Sequence, residues 1–157
     1  GAAKNSVDSL EQKGVTIELY RVILADKASF DFSSWKNHKE FDDAKSMIEI
    51  MLKITNGTDK KIDVLALDYG LLAVNGEQID ISMYSPEYRL GQNISHGLMP
   101  GITAITGIWV PVKDSYWDQI SKIDISLVGA FANGNSLTGD YYFSVEIKDW
   151  TFEPKQP

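Results

Sequence analysis

Apolar and polar residues alternate along several stretches of this chain, and this alternation limits its fold more than any other feature. In SMIEIMLKIT, residues 46–55, four aliphatic residues occupy every second position from Ile48 to Ile54. A period of two places them on one face of a β-strand, whereas a helix would scatter them around its circumference. The alternation begins at Val15 and returns in GLLAVNGEQIDIS, ITAITGIWVPV, KIDISLVGAF and DYYFSVEIKDWTF. The sequence therefore predicts an all-β protein of about seven to eight strands.

Turn-forming residues separate these stretches. Asn-Gly pairs begin at Asn56, Asn75 and Asn133, and this dipeptide readily supplies the positive φ angles of tight hairpin turns. Pro100 and Gly101 suit the centre of a type II turn, in which proline fixes the first φ and glycine accepts the positive second one. Short strands with turns at this spacing are typical of an antiparallel β-sandwich.

Two residues interrupt the strand that follows the Pro-Gly turn. Gly107 lies in its middle, where a glycine often marks a β-bulge. Pro111 lies near its end, and since proline cannot donate to a ladder, we expect that end at a sheet edge.

The chain divides into one folded domain and two ends. Residues 1–14, GAAKNSVDSLEQKG, are mostly polar and predict a flexible tether. Residues 15–153 form the predicted sandwich, and residues 154–157 form a C-terminal tail. A chain of 157 residues buries roughly 70% of the surface that its unfolded form exposes, which is enough for a single stable core.

Charge and composition exclude several kinds of function. The formal net charge of −7 argues against a nucleic-acid partner, because binding to phosphates requires a basic patch. The absence of cysteine excludes disulfides, thiol nucleophiles and thiolate zinc sites. No apolar run approaches the roughly 20 residues that a membrane-spanning helix needs. We expect neither nucleic-acid binding nor a transmembrane helix.

The strongest candidate for a binding site is FDFSSWKNHKEFDDAKS, residues 30–46, which we call the aromatic loop. Loops longer than about 12–15 residues are uncommon unless they are functional or disordered. Its aromatic residues are Phe30, Phe32, Trp35 and Phe41. Two interpretations stay open: an exposed anchor for a partner or a sugar ring, or rings that cap the open end of the sandwich. Trp109 lies within a strand and is expected in the core.

A metal carrier is the alternative function. His96 stands three residues before Met99, and His and Met are ligands of copper in exported carriers of sandwich fold. Asp42 and Asp43 offer the oxygen ligands that calcium prefers. The methionines do not reproduce the spacing of such copper carriers, and the acidic residues lack the ordered spacing of an EF-hand. Metal binding therefore ranks behind partner binding.

The sequence gives no strong sign of catalysis. His38 and His96 are the two histidines of the chain, so a Ser-His-Asp triad would require one of them. The separation of paired carboxylates for glycoside hydrolysis is set by the fold and not by the sequence. We expect no enzyme, and assign no catalytic residue and no cofactor.

Two long stretches resemble a known protein family. MIEIMLKITNGTDKKIDVLALDYGLLAVNGEQI is similar to that family's strand, Asn-containing turn, strand and hairpin. LMPGITAITGIWVPVKD is similar to its Pro-Gly turn and the long strand that follows. The family comprises small bacterial lipoproteins and secreted proteins with a domain of unknown function, related to a mycobacterial secreted immunogenic protein. The likeness covers residues 15–148 and implies an immunoglobulin-like antiparallel β-sandwich.

The resemblance also implies a location and a role. Domains of this family follow a lipid-modified cysteine and a polar linker, and GAAKNSVDSLEQK resembles that linker, although this sequence has no cysteine. We therefore expect an extracytoplasmic, lipid-anchored protein that acts as a non-catalytic binding or accessory domain. Its expected partner is a cell-envelope protein or glycan, and it contacts the membrane only through the anchor.

Overall fold

The computed structural model describes residues 1–33, 39–147 and 150, and their regular structure is β-strand apart from short 3₁₀ turns. The described residues form twelve strands in three antiparallel sheets, so the predicted all-β class is confirmed, whereas the predicted number of seven to eight strands is too low. The 3₁₀ turns are Lys27–Ser29, Lys39–Phe41, Ile81–Tyr84 and Trp117–Gln119. The strands are β1 (Ala2–Gln12), β2 (Val15–Ala25), β3 (Ser46–Asn56), β4 (Asp63–Val64), β5 (Leu71–Val74), β6 (Glu77–Asp80), β7 (Arg89–Gly91), β8 (Thr103–Val112), β9 (Lys122–Leu127), β10 (Ala130–Ala132), β11 (Asn135–Ser136) and β12 (Tyr141–Glu146).

The five-stranded sheet has the order β1-β2-β3-β8-β7. Its central strand β3 pairs with β8 without interruption, from Ser46 opposite Val112 to Thr55 opposite Thr103. Strand β3 is buried on both faces over most of its length. The aliphatic residues predicted to share one face are fully buried: Ile48, Ile50, Leu52 and Ile54.

The structure contradicts one of the two predictions made for β8 and agrees with the other. The bulge predicted at Gly107 is wrong, because the register between β3 and β8 passes through it unbroken. A Cβ at Gly107 would overlap Met51 Sδ and the backbone oxygen of Ile50, so the close approach of β3 requires a glycine. The edge predicted near Pro111 agrees with the pairing, since β7 pairs with β8 only as far as Ile108.

The remaining strands form a four-stranded sheet of order β12-β9-β5-β6 and a three-stranded sheet of order β11-β10-β4. Strands β9 and β12 pair along their whole length, and buried residues alternate with more exposed ones in both, as predicted. Buried side chains of all three sheets belong to one hydrophobic cluster. A single core therefore holds the sheets together.

Three of the four predicted turns are confirmed. The Asn-Gly pairs at 75–76 and 133–134 have positive φ at both residues, between 47° and 82°. Gly101 has a φ of 78°, as the second central position of a type II turn requires. The turn predicted at Asn56 is wrong, because neither Asn56 nor the glycine after it has a positive φ. The Asn56 side chain is instead buried and hydrogen-bonded.

The flexible tether predicted over residues 1–14 is wrong as well. Residues Ala2–Gln12 form β1, which is paired with β2 along its length through a Lys13-Gly14 turn with φ angles of 48° and 86°. Strand β1 lies at the sheet edge, where backbone bonds to one neighbour hold it and polar side chains can face solvent. For this reason β1 lacks the alternation of apolar and polar residues that predicts the other strands. The predicted tail, residues 154–157, lies outside the described residues.

Candidate functional site

The aromatic loop packs against the protein itself. Phe30 and Phe32 are half-buried and lie edge-on to Trp109, with ring centroids 4.9 and 5.6 Å from its ring. Phe41 is fully buried, and its ring centroid lies 5.5 Å from that of Phe32. Trp35 lies outside the described residues. Of the three described loop rings, Phe30 and Phe32 keep some surface that a partner can contact.

A buried carboxylate lies beside Trp109. Glu49 on β3 is 7% exposed, and its Oε1 accepts from Trp109 Nε1 over 2.8 Å. Its Oε2 accepts from Arg21 Nε over 3.0 Å and lies 2.8 Å from Arg21 Nη2. Because both oxygens have donors and the guanidinium supplies the opposite charge, the carboxylate is tolerated in this buried place. Glu49 is not among the predicted site residues, because no local feature of the sequence marks it.

A second set of contacts ties the aromatic loop to the segment before β7. The ring of Phe41 packs edge-on against Tyr88, with centroids 4.4 Å apart, and Tyr88 Oη donates to Glu40 Oε2 over 2.6 Å. Burial, reinforced by this carboxylate, raises the pKa of Tyr88, and the hydrogen bond lowers the pKa of Glu40. The described part of the aromatic loop is therefore a structural layer over the five-stranded sheet.

The residues considered for a metal site are exposed in two separate loops. His96 and Met99 lie in the loop before β8, and Met99 is 61% exposed. Asp42 and Asp43 follow the 3₁₀ turn of the aromatic loop, while His38 is outside the described residues. Within residues 1–33, 39–147 and 150, no group of three His, Cys, Asp or Glu side chains is placed to hold a metal ion.

Two adjoining cavities form a groove between β4 and β7, which we call the β4–β7 groove. Their volumes are about 360 and 410 Å³, and both are lined by Val64, Ile94 and Ser95. Pockets for small ligands occupy roughly 300–1,000 Å³, so each cavity is large enough for one. The lining residues that carry further polar or aromatic groups are Asp63, Asp68, Arg89, Gln92, Asn93 and Phe131.

Arg89 fixes one wall of the β4–β7 groove. Its Nε donates to the Gly107 oxygen over 3.1 Å, and its Nη2 donates to Thr106 Oγ1 over 2.7 Å. Its Nη1 donates over 2.9 Å to Asp68 Oδ1, which also accepts from Ser85 Oγ over 2.6 Å. Burial lowers the pKa of Arg89, and the Asp68 carboxylate opposes that shift. The wall is therefore rigid, and its two charges neutralise each other.

Asn56 fixes the segment that leads into residues 63–65 of the groove. Its Nδ2 donates to the Lys60 oxygen over 2.7 Å and to the Leu98 oxygen over 3.0 Å, and its Oδ1 accepts from the N–H and Oγ1 of Thr58. Next to these bonds, Ile62 and Leu98 exchange two backbone hydrogen bonds of 3.0 and 2.8 Å. The entry to β4 is therefore locked to the loop that precedes β8.

Two side-chain amides line the groove with their oxygens already engaged. Gln92 Oε1 accepts from the Ile105 N–H over 2.8 Å, and Asn93 Oδ1 accepts from the Ser95 N–H over 2.9 Å. Because both partners are donors, these bonds also decide which amide atom is oxygen. The two amide nitrogens donate to no other residue in the part of the chain that the structure describes. Each side chain is thus held in place with two N–H groups left for a ligand.

No protein-family model, curated protein or solved structure matches this chain. No helix in the described residues has the length and apolar character needed to cross a membrane.

The β4–β7 groove combines hydrogen-bond donors, an acceptor and an aromatic ring. The half-exposed carboxylate of Asp63 receives no side-chain hydrogen bond from another described residue, and the ring of Phe131 is half-exposed in the same cavity. Sequence reasoning missed this site, because its lining residues are spread over three separate segments of the chain, residues 63–68, 86–95 and 131–134. The local signal is limited to the polar pair Gln92-Asn93 before the buried Ile94.

Proposed function

We propose that this chain is an immunoglobulin-like β-sandwich that acts as a non-catalytic binding domain outside the cytoplasm, tethered to the cell surface by a lipid anchor. The shared core of the five-stranded and four-stranded sheets supports the sandwich, since two packed layers around one core are what that architecture requires. The location rests on the resemblance of residues 15–148 to domains of bacterial lipoproteins.

The observation that carries the binding function is the β4–β7 groove. Its volume suits a ligand, and its walls are held by hydrogen bonds that do not involve one. Side chains fixed before binding lose little conformational entropy when a ligand arrives, so a site of this kind binds without first being ordered. The amide nitrogens of Gln92 and Asn93 then supply the specific contacts.

The charged groups of the groove favour binding over catalysis. Asp68 is tied to Arg89 and Ser85, so it is committed to holding the wall. The other lining carboxylate, Asp63, receives no side-chain hydrogen bond from the described residues. General acid–base hydrolysis by carboxylates uses two of them at a defined separation, and this groove presents one that is uncommitted.

Sedimentation of the purified domain with insoluble bacterial cell envelopes tests this function. Gln92→Glu and Asn93→Asp each keep the oxygen that fixes the side chain and remove the N–H donors. Gln78→Glu makes the same chemical change at an exposed position on β6 and is the matched control. We expect the wild type and the control to sediment equally, and each groove variant to lose about tenfold in affinity. The proposal would be contradicted if all four proteins sedimented equally, or if the wild type did not sediment with the envelopes.

A further inference from the structure

We infer that the ligand of the β4–β7 groove is a neutral oligosaccharide. This inference rests on the proposed binding function and names the chemical class of the ligand. It follows from three properties of the groove: the mixture of its surfaces, the pairing of its hydrogen-bonding groups and the balance of its charges.

The surfaces of the groove match the two kinds of surface on a sugar ring. A pyranose has a hydroxyl-bearing edge and an apolar face of C–H groups, and that face packs well on the electron-rich face of an aromatic ring. Phe131 is half-exposed in the cavity of about 410 Å³, which is also lined by the apolar Val64 and Leu65 and the polar Asp63. One cavity thus offers both an aromatic platform and a polar rim.

The hydrogen-bonding groups suit hydroxyls better than they suit other ligands. A hydroxyl both donates and accepts, so it is satisfied only where donors and acceptors lie side by side. The Gln92 and Asn93 amide nitrogens are donors that line the cavity of about 360 Å³, and the Asp63 carboxylate is an acceptor that lines the adjoining cavity of about 410 Å³. Ser95 lines both cavities and carries a hydroxyl of its own.

The charges disfavour an anionic ligand. Among the lining residues of the two cavities, Asp63 and Asp68 are acidic and Arg89 is basic. Arg89 is paired with Asp68, so Asp63 leaves the groove with a net negative charge, on a chain whose net charge is −7. A phosphorylated or uronic-acid glycan would be repelled, whereas a neutral one would not.

The backbone of the groove disfavours an extended peptide. A peptide that adds to a sheet edge gains affinity from a row of main-chain hydrogen bonds. The strands at this groove, β4 and β7, have two and three residues. Edges this short offer few main-chain bonds, so side chains rather than backbone must provide most of the recognition.

A titration followed by ¹H–¹⁵N NMR tests the inference with defined probes. The probes are three neutral tetrasaccharides, chitotetraose, maltotetraose and mannotetraose, and one acetylated, amidated tetra-alanine peptide. We expect at least one tetrasaccharide to shift the amide signals of residues 92–95 and Phe131. Gln92→Glu should weaken that binding about tenfold, while Gln78→Glu leaves it unchanged.

The outcomes separate the ligand class from the binding function. If the tetrasaccharides leave these signals unchanged, while the peptide shifts them and Gln92→Glu weakens that effect, the glycan inference is overturned and the proposed binding function stands. If no probe shifts the groove signals and cell envelopes also fail to bind the domain, both are overturned. Sugar binding that is equally strong in Gln92→Glu and Phe131→Leu would place it elsewhere and overturn the inference as well.

Discussion

Replacing Asn56 with alanine tests how strongly one buried side chain holds the groove together. Asn56 is fully buried, and its four hydrogen bonds, of 2.6 to 3.0 Å, reach the Lys60 and Leu98 oxygens and two groups of Thr58. Alanine removes all four bonds at once. The bond to the Leu98 oxygen is buried, so water cannot replace it without local opening, although that oxygen keeps its bond from the Ile62 N–H.

The size of the effect follows from these contacts. Each intramolecular hydrogen bond contributes about 1 kcal/mol net, so the four bonds together contribute about 4 kcal/mol. The bonds to Thr58 and Lys60 lie nearer the surface, where water replaces part of the loss. We therefore expect Asn56→Ala to lower the free energy of unfolding by about 3–4 kcal/mol.

Urea denaturation measures this loss. With a slope of about 2 kcal/mol per molar urea, the midpoint should fall by about 1.5–2 M. Asn93→Ala is the matched control, because Asn93 Oδ1, like Asn56 Oδ1, accepts from the N–H two residues later, but Asn93 is exposed and makes this one bond. Its midpoint should fall by less than about 0.5 M. A fall for Asn56→Ala no larger than that of the control, with the slope unchanged, would refute the reasoning.

Two further predictions concern the five-stranded sheet and its aromatic layer. Gly107→Ala should destabilise the protein by at least about 2 kcal/mol in urea denaturation, since the new Cβ meets the Ile50 backbone, which cannot rotate away. Gly139→Ala, whose Cβ would meet little, is its control, and an equal effect of both would contradict the packing argument. Tyr88→Phe should lower the urea midpoint most between about pH 5 and pH 9. The pKa of Tyr88 is raised in the folded state, so its contribution to stability is present below about pH 10 and is lost as the pH rises further. The pKa of Glu40 is lowered, so its contribution is present above about pH 4 and is lost in acid. A difference between wild type and Tyr88→Phe that does not change with pH would show that the hydrogen bond does not couple the two groups.

Most strands and turns were predictable because their signals are local. The alternation in β3, β9 and β12 and the Asn-Gly pairs at 75–76 and 133–134 act through residues next to each other in the chain. The same rules failed where a distant partner decides the outcome. Gly107 is explained by its neighbour β3, and β1 is a strand because β2 offers it backbone bonds.

The candidate site was less predictable than the fold. The sequence directed attention to the aromatic loop, whose described rings Phe30, Phe32 and Phe41 pack on the protein. The β4–β7 groove gave no comparable signal, because the residues around it are polar or aliphatic and individually ordinary. Only their arrangement gives them a common role.

The sequence by itself determined that this chain is built from β-strands, where several of its tight turns lie, and that its net charge is negative. These properties follow from side-chain periodicity, turn residues and charge, which act over a few positions or simply add up. The tertiary structure decided which strands pair, which glycine allows the neighbouring strand to approach closely, and where a groove opens. Those outcomes depend on contacts such as Asn56 with Leu98 and Glu49 with Trp109, which join residues 42 and 60 positions apart. Such contacts exist only once the chain has closed around its core.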